Sequence, residues 1–286
     1  MAIKSGSPLR YPGGKSRAVS EIATKYIILN IPKNNQICSP FFGGGSIEIY
    51  LAKSGYRVYG YDAFIPLVDF WQVLLKDPSK LASQVQKKLE LDENNFKNIQ
   101  HDFKENYKNY TKLKRAYLFY VLNRTSYSGT TLSGGMATDK KKRSWKRINP
   151  RFDKKSVQRL RQFSGRNITI SKIDFRKSIP KHKNSLIYAD PPYYIEKNKF
   201  YGNMGDMQFK QKDHEDLAKI LKRRKHWILS YNNSKLVREL YSDFRIKKVR
   251  WAYGMTGTKS RGKHDSSEIL VLSDDIKYDS VQKTLF

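Results

Sequence analysis

Gln36-Ile37-Cys38-Ser39-Pro40-Phe41-Phe42-Gly43-Gly44-Gly45-Ser46-Ile47 is the stretch from which the architecture can be read. A short apolar strand runs into a glycine-rich turn, and Ser46 opens a helix that continues through Ile47, Tyr50 and Leu51. Three glycines between a strand and a helix let a ligand approach the backbone closely, and the helix start offers unpaired N–H groups. An ordinary tight turn is the other reading of the same residues. The loop is not the dinucleotide fingerprint, which needs a third glycine where this chain has Glu48. Downstream, residues 57–61 read as a second strand that ends at Asp62, seventeen positions after Gly45. A carboxylate at such a strand end can accept hydrogen bonds from a ribose diol. Glycine loop and acidic strand end together point to an adenosine-containing cofactor.

Further along, strands return at residues 168–171, 186–189, 227–230 and 269–272. Between the second and third of these, residues 213–224 read as a helix with Leu217, Ile220 and Leu221 on one face. Residues 71–166 differ: polar helices at 81–91 and 110–122, then a loop of Gly, Ser and Thr, then a basic run. The expected architecture is an α/β sheet domain built from residues 1–70 and 167–286, interrupted by an inserted, mostly helical module at 71–166.

Charge says what the module meets. The chain has 286 residues, 56 of them Lys or Arg and 26 Asp or Glu, a formal charge of +30. That excess exceeds what solubility requires and implies a polyanionic partner. From Lys140 to Arg166 twelve basic residues face one acid, Asp153, and the run includes Lys140, Lys141, Lys142, Arg143, Lys146 and Arg147 with Trp145 and Phe152 interleaved. Such density suits phosphate neutralisation, whereas solvated helix faces usually mix charge signs. Ahead of it, Asn123, Arg124, Ser126 and Tyr127 begin a polar loop able to touch phosphates and base edges. Lys259, Arg261 and Lys263 form a further basic loop that either touches nucleic acid or is simply solvated.

Other classes drop out. No apolar run is long enough for a membrane span, and the first fifteen residues lack the apolar centre of a signal peptide, so no membrane partner is expected. The single cysteine, Cys38, allows no intrachain disulfide, and the five histidines lack metal-ligand spacing, so no metal is expected. Pro12-Gly13-Gly14-Lys15-Ser16 hints at a phosphate loop, but the required glycine five positions before Gly14 is Leu9.

The chemistry concentrates in Asp190-Pro191-Pro192-Tyr193, directly after the apolar strand 186–189. In open α/β sheets the strand carboxyl ends face the ligand crevice. Two prolines stiffen the loop and aim the Pro191 carbonyl, and Tyr193 offers a flat apolar face. The set suits an aromatic amine. If the Asp190 carboxylate and the Pro191 carbonyl both accept from that NH₂, the nitrogen can pyramidalise and free a lone pair otherwise delocalised into the ring, while Tyr193 stacks on the base.

Leu9-Arg10-Tyr11-Pro12-Gly13-Gly14-Lys15, the glycine loop and Asp190-Pro191-Pro192-Tyr193, in this order, resemble the Dam-type (α-class) DNA adenine-N6 methyltransferases. The resemblance spans nearly the whole chain. It implies a Rossmann-like S-adenosyl-L-methionine-dependent sheet with an inserted target-recognition domain, and in-line methyl transfer to an adenine flipped from double-stranded DNA. It further implies that Tyr11 and Lys15 contact the cofactor together with Pro40, Phe41, Phe42, Gly43, Gly45 and Ser46. Asp62 then takes the ribose, Asp174 lies near the cofactor adenine, and Asp190 is catalytic and lies beside the methionine moiety. Bacterial, archaeal or phage-host cytoplasm, a monomer, and a separately encoded restriction endonuclease as partner are what the family suggests. RNA as substrate, or a catalytically silent nucleic-acid-binding protein, are the alternative readings.

Overall fold

The computed structural model describes residues 6–11, 14–16, 18–137, 152–194, 209–249 and 268–278. Residues 140–143, 146 and 147 of the basic run and the loop at 259–263 lie outside them. Seven strands among the described residues form one sheet: β1 (Gln36–Ser39), β2 (Arg57–Asp62), β3 (Ile168–Lys172), β4 (Leu186–Ala189), β5 (Trp227–Asn232), β6 (Arg245–Lys248) and β7 (Glu268–Leu272), in spatial order β3-β2-β1-β4-β5-β7-β6. β1 to β5 pair in parallel, and β7 enters antiparallel between β5 and β6. The order reverses direction between β1 and β4, the place where open α/β sheets bind ligands.

Helices cover both faces: α1 (Val19–Ile22), α2 (Ser46–Lys53), α3 (Ile65–Lys76), α4 (Pro78–Gln86), α5 (Glu93–Asn106), α6 (Lys112–Thr125), α7 (Lys154–Arg161), α8 (Phe175–Lys181), α9 (Gln211–Lys222) and α10 (Lys235–Leu240). Strand alternation assigns the faces. Leu186, Tyr188 and Ile228 join one core with α1 to α7, while Ile187, Ala189, Trp227 and Leu229 join a second core under α8, α9 and α10. Short polar residues start the helices: Asp77 accepts from Lys80 N–H at 2.8 Å, Asp92 from Asn95 N–H at 2.7 Å, and Asp153 from Ser156 N–H at 2.8 Å.

The boundary expected at residue 71 falls inside α3, whose Trp71 is fully buried. Its helices share a single core with the sheet, and Asp69 on α3 pairs with Arg115 on α6 at 2.5 Å. α6, expected to be polar, is buried continuously from Leu118 to Thr125, because its charges cluster at Lys112, Lys114 and Arg115 near its start. β6, absent from the sequence expectation, is an edge strand with half-buried residues.

Candidate active site

β1 delivers the glycine loop to the rim between β2 and β4. Gly43 and Gly45 both take positive φ, +48° and +65°, which a side chain would strain. The room they leave is filled from within the chain: a Cβ at Gly43 would lie 2.9 Å from the Tyr11 ring, and one at Gly45 would lie 2.7 Å from the Phe42 ring. Gly43 is held on both sides, its N–H donating to Asp62 Oδ2 at 3.1 Å and its carbonyl accepting from the Trp71 indole at 3.0 Å. The expected cofactor residues therefore divide. Tyr11 and Phe41 keep a partly exposed surface, whereas Pro40, Phe42 and Ser46 are buried beneath the loop. Phe42 stands edge-on to Trp71 at 5.2 Å.

Asp62 ends β2 with both oxygens engaged, Oδ1 accepting from Phe64 N–H at 3.0 Å and Oδ2 from Gly43. Burial raises its pKa, and these backbone donors hold part of the rise back. Asp174, just beyond β3, caps α8 by accepting from Arg176 N–H at 2.8 Å, and its side chain is 43 % exposed. Beside it Phe41 lies 5.4 Å from Phe175 and 5.6 Å from Phe209. Asp174, Asp62, the glycine loop and Asp190 thus follow one another along the carboxyl ends of β3, β2, β1 and β4.

At the end of β4 the Asp190 carboxylate stays 23 % exposed and Lys15 closes on it from inside. Lys15, only 2 % exposed, places its ammonium 2.9 and 3.0 Å from the two Asp190 oxygens, 2.6 Å from the Tyr193 hydroxyl and 3.4 Å from Glu268 Oε1. The Tyr193 hydroxyl also donates to Glu268 Oε1. Burial alone would lower the Lys15 pKa, but the carboxylates of Asp190 and Glu268 more than reverse this and keep it charged. Burial raises Asp190, with Lys15 pulling it back, and raises Glu268 in the same way. Tyr193 is pushed well up by burial and by the two carboxylates, so it remains a neutral donor.

Two residues here carry little signal in the sequence. Glu268 opens β7, and a carboxylate ahead of an apolar run is the sole hint. Glu48, buried in the first turn of α2, accepts from the Ser39 hydroxyl at 2.7 Å, and burial pushes its pKa up to about 7. Because that lies above the ordinary value of 4.5, folding takes up a proton at intermediate pH, and stability falls as pH rises towards 7 and beyond. Glu48→Gln should therefore stabilise the fold at pH 8 by up to about 3 kcal/mol and change little near pH 4. Thermal unfolding across that range measures it, and an equal shift at both ends would refute it.

The loop after α6 is arranged otherwise than expected. Asn123 is 1 % exposed, its Oδ1 accepting from Arg10 N–H at 2.9 Å and its Nδ2 donating to the Arg10 carbonyl at 2.8 Å and the Gly129 carbonyl at 3.1 Å. Its amide ties the N-terminal motif to the loop, with both Nδ2 hydrogens engaged within the chain. Arg124 and Ser126 are also buried, the Ser126 hydroxyl accepting from Thr131 N–H at 2.9 Å. Tyr127 instead stands 66 % exposed.

A family model for D12 class N6 adenine-specific DNA methyltransferases matches residues 11–255. The chain belongs to this family. The methyltransferase is thus an enzyme whose product is DNA methylated at adenine N6, and the carboxylate and aromatic residues at the end of β4 lie within the matched span. A search of curated proteins returned no match to it. Among the described residues no helix is long and apolar enough to cross a membrane, and no His, Cys, Asp and Glu side chains group as a metal site.

Proposed function

We propose that this methyltransferase carries a methyl group from S-adenosyl-L-methionine to an adenine rotated out of duplex DNA, with Asp190 and the Pro191 carbonyl accepting from the N6 amine. One observation carries the reading: an ionisable carboxylate, fixed by a buried lysine, stays partly exposed at the carboxyl end of β4, where the strand order reverses. Such fixed acceptors need no reorganisation when charge develops on the amine. The donor set fits the cofactor. Asp62 offers an acceptor to the ribose hydroxyls and Asp174, at the adjacent strand end, one to the cofactor adenine, and Phe41 with Phe175 provides an apolar flank. When bound, S-adenosyl-L-methionine supplies an electrophilic methyl group. Like charges keep Lys15 off the sulfonium, so its ammonium holds Asp190 and any contact it makes with the cofactor goes to the methionine carboxylate.

The decisive assay incubates the purified chain and labelled cofactor with matched DNA and RNA duplexes, then locates modified bases by sequencing. N6-methyladenine in the DNA alone supports the reading, and label in RNA alone would overturn it. On the DNA side the exposed Tyr127 ring is the stacking surface, with the basic run at 140–147 supplying phosphate contacts. Tyr127→Ala should weaken duplex binding by about 1–3 kcal/mol, the usual cost of losing one base–aromatic stack. Fluorescence anisotropy would measure this, and unchanged affinity would remove Tyr127 from the interface.

A further inference from the structure

We propose that Glu268 is a positioning residue for methyl transfer, fixing the Tyr193 ring and the Lys15 ammonium against Asp190. The inference rests on the assignment of Asp190 as the residue that holds the target amine. Glu268 lies outside the span that matches the family, residues 11–255. Its place follows from strand direction: β7 runs antiparallel to β5, with Glu268 opposite Asn232, so the first residue of β7 reaches the rim where the parallel strands end.

Three observations give it a role beyond packing. Its Oε1 accepts from the Tyr193 hydroxyl and lies 3.4 Å from Lys15, so one oxygen touches both residues that flank Asp190. The side chain is 3 % exposed, and among the described residues Oε2 has no hydrogen-bond partner. A buried carboxylate with a free oxygen is a costly way to stabilise a fold, since apolar groups of similar volume serve at least as well. What the carboxylate supplies is direction. It holds the hydroxyl end of Tyr193, so the ring cannot swing about the loop, and it draws on the same ammonium that Asp190 uses. With Glu268 ionised, Lys15 is shared, and Asp190 keeps more negative charge for the amine. With that charge removed, Lys15 belongs to Asp190 alone and the aspartate becomes a weaker acceptor that ionises at lower pH.

Glu268→Gln and Glu268→Asp in the full chain separate these effects. Glu268→Gln retains an acceptor for Tyr193 but removes the charge. Methyl-transfer kcat should fall about ten- to a hundredfold, as for a misplaced reacting group, with KM for the cofactor unchanged within about twofold. The acid limb of the kcat profile should move to lower pH, a change that a purely structural residue would not cause. Glu268→Asp keeps the charge but withdraws it by one methylene, so the acid limb should stay in place while kcat still falls. It carries the test alone if Glu268→Gln does not fold. Folded variants with wild-type kcat and an unmoved acid limb overturn the proposal. Asp190→Ala, run alongside, tells the two failures apart: if it is also fully active, the assignment of Asp190 is at fault, and if it is dead while the Glu268 variants are normal, only the role of Glu268 falls.

Discussion

Asp190→Ala should abolish methyl transfer while the chain remains folded. The side chain follows β4, is partly exposed and belongs to neither core, so its removal opens no cavity in either. Lys15 would keep the Tyr193 hydroxyl at 2.6 Å and Glu268 at 3.4 Å, so its ammonium is not stranded. What disappears is a fixed acceptor aimed at the amine as positive charge develops on it. Loss of one preorganised partner of this kind costs about 2–4 kcal/mol, about thirtyfold to nearly a thousandfold in rate. Because the interaction strengthens in the transition state, single-turnover rate should collapse while affinity for the cofactor changes far less. A rate within a few fold of wild type would mean that the amine is held elsewhere.

Asp190 could be found in the sequence because everything that places it is local: an apolar strand carries it to the rim and two prolines stiffen the loop beyond it. β1 and β4 could be read to the residue for the same reason, each being a short apolar run closed by a turn. Residues placed by distant partners could not. Asn123 looks like a surface amide until Arg10, 113 positions earlier, is brought against it by folding. Glu268 reaches Tyr193 across 75 positions, and nothing before β7 announces that this strand runs antiparallel. Edge strand β6 escaped because Arg-Ile-Lys-Lys has one apolar residue and needs only one covered face. The glycine loop could be read only in part. Its spacing signals close approach to the backbone, and the spacing does not tell that the chain's own Tyr11 and Phe42 rings stand where side chains at Gly43 and Gly45 would lie.

Lys15→Met should show opposite pH trends in stability and in activity. The substitution keeps the length of the stem but removes the one cation among the described residues that contacts both Asp190 and Glu268. Breaking a buried pair by deleting one partner typically costs about 3–5 kcal/mol, since the remaining charge is stranded. Here two carboxylates are left, already raised by burial and now without the ammonium that pulled them back. Their folded-state pKa values must climb further above those of the unfolded chain. A raised carboxylate pKa gives stability that is present at low pH and lost as pH rises through the folded value, so the variant should be hurt most at pH 8 and recover towards pH 5. Wild-type Lys15 stays charged throughout that range and adds no slope of its own. Activity should run the other way. The variant's Asp190 keeps its proton to higher pH than in the wild type and, while protonated, is a weaker acceptor for the amine, so raising the pH ionises it and restores part of the rate, as far as the weakened fold allows. Thermal unfolding and initial rates from pH 5 to 9 test both halves. If activity and stability instead fall together as the pH rises, Lys15 serves the fold alone and does not act on Asp190.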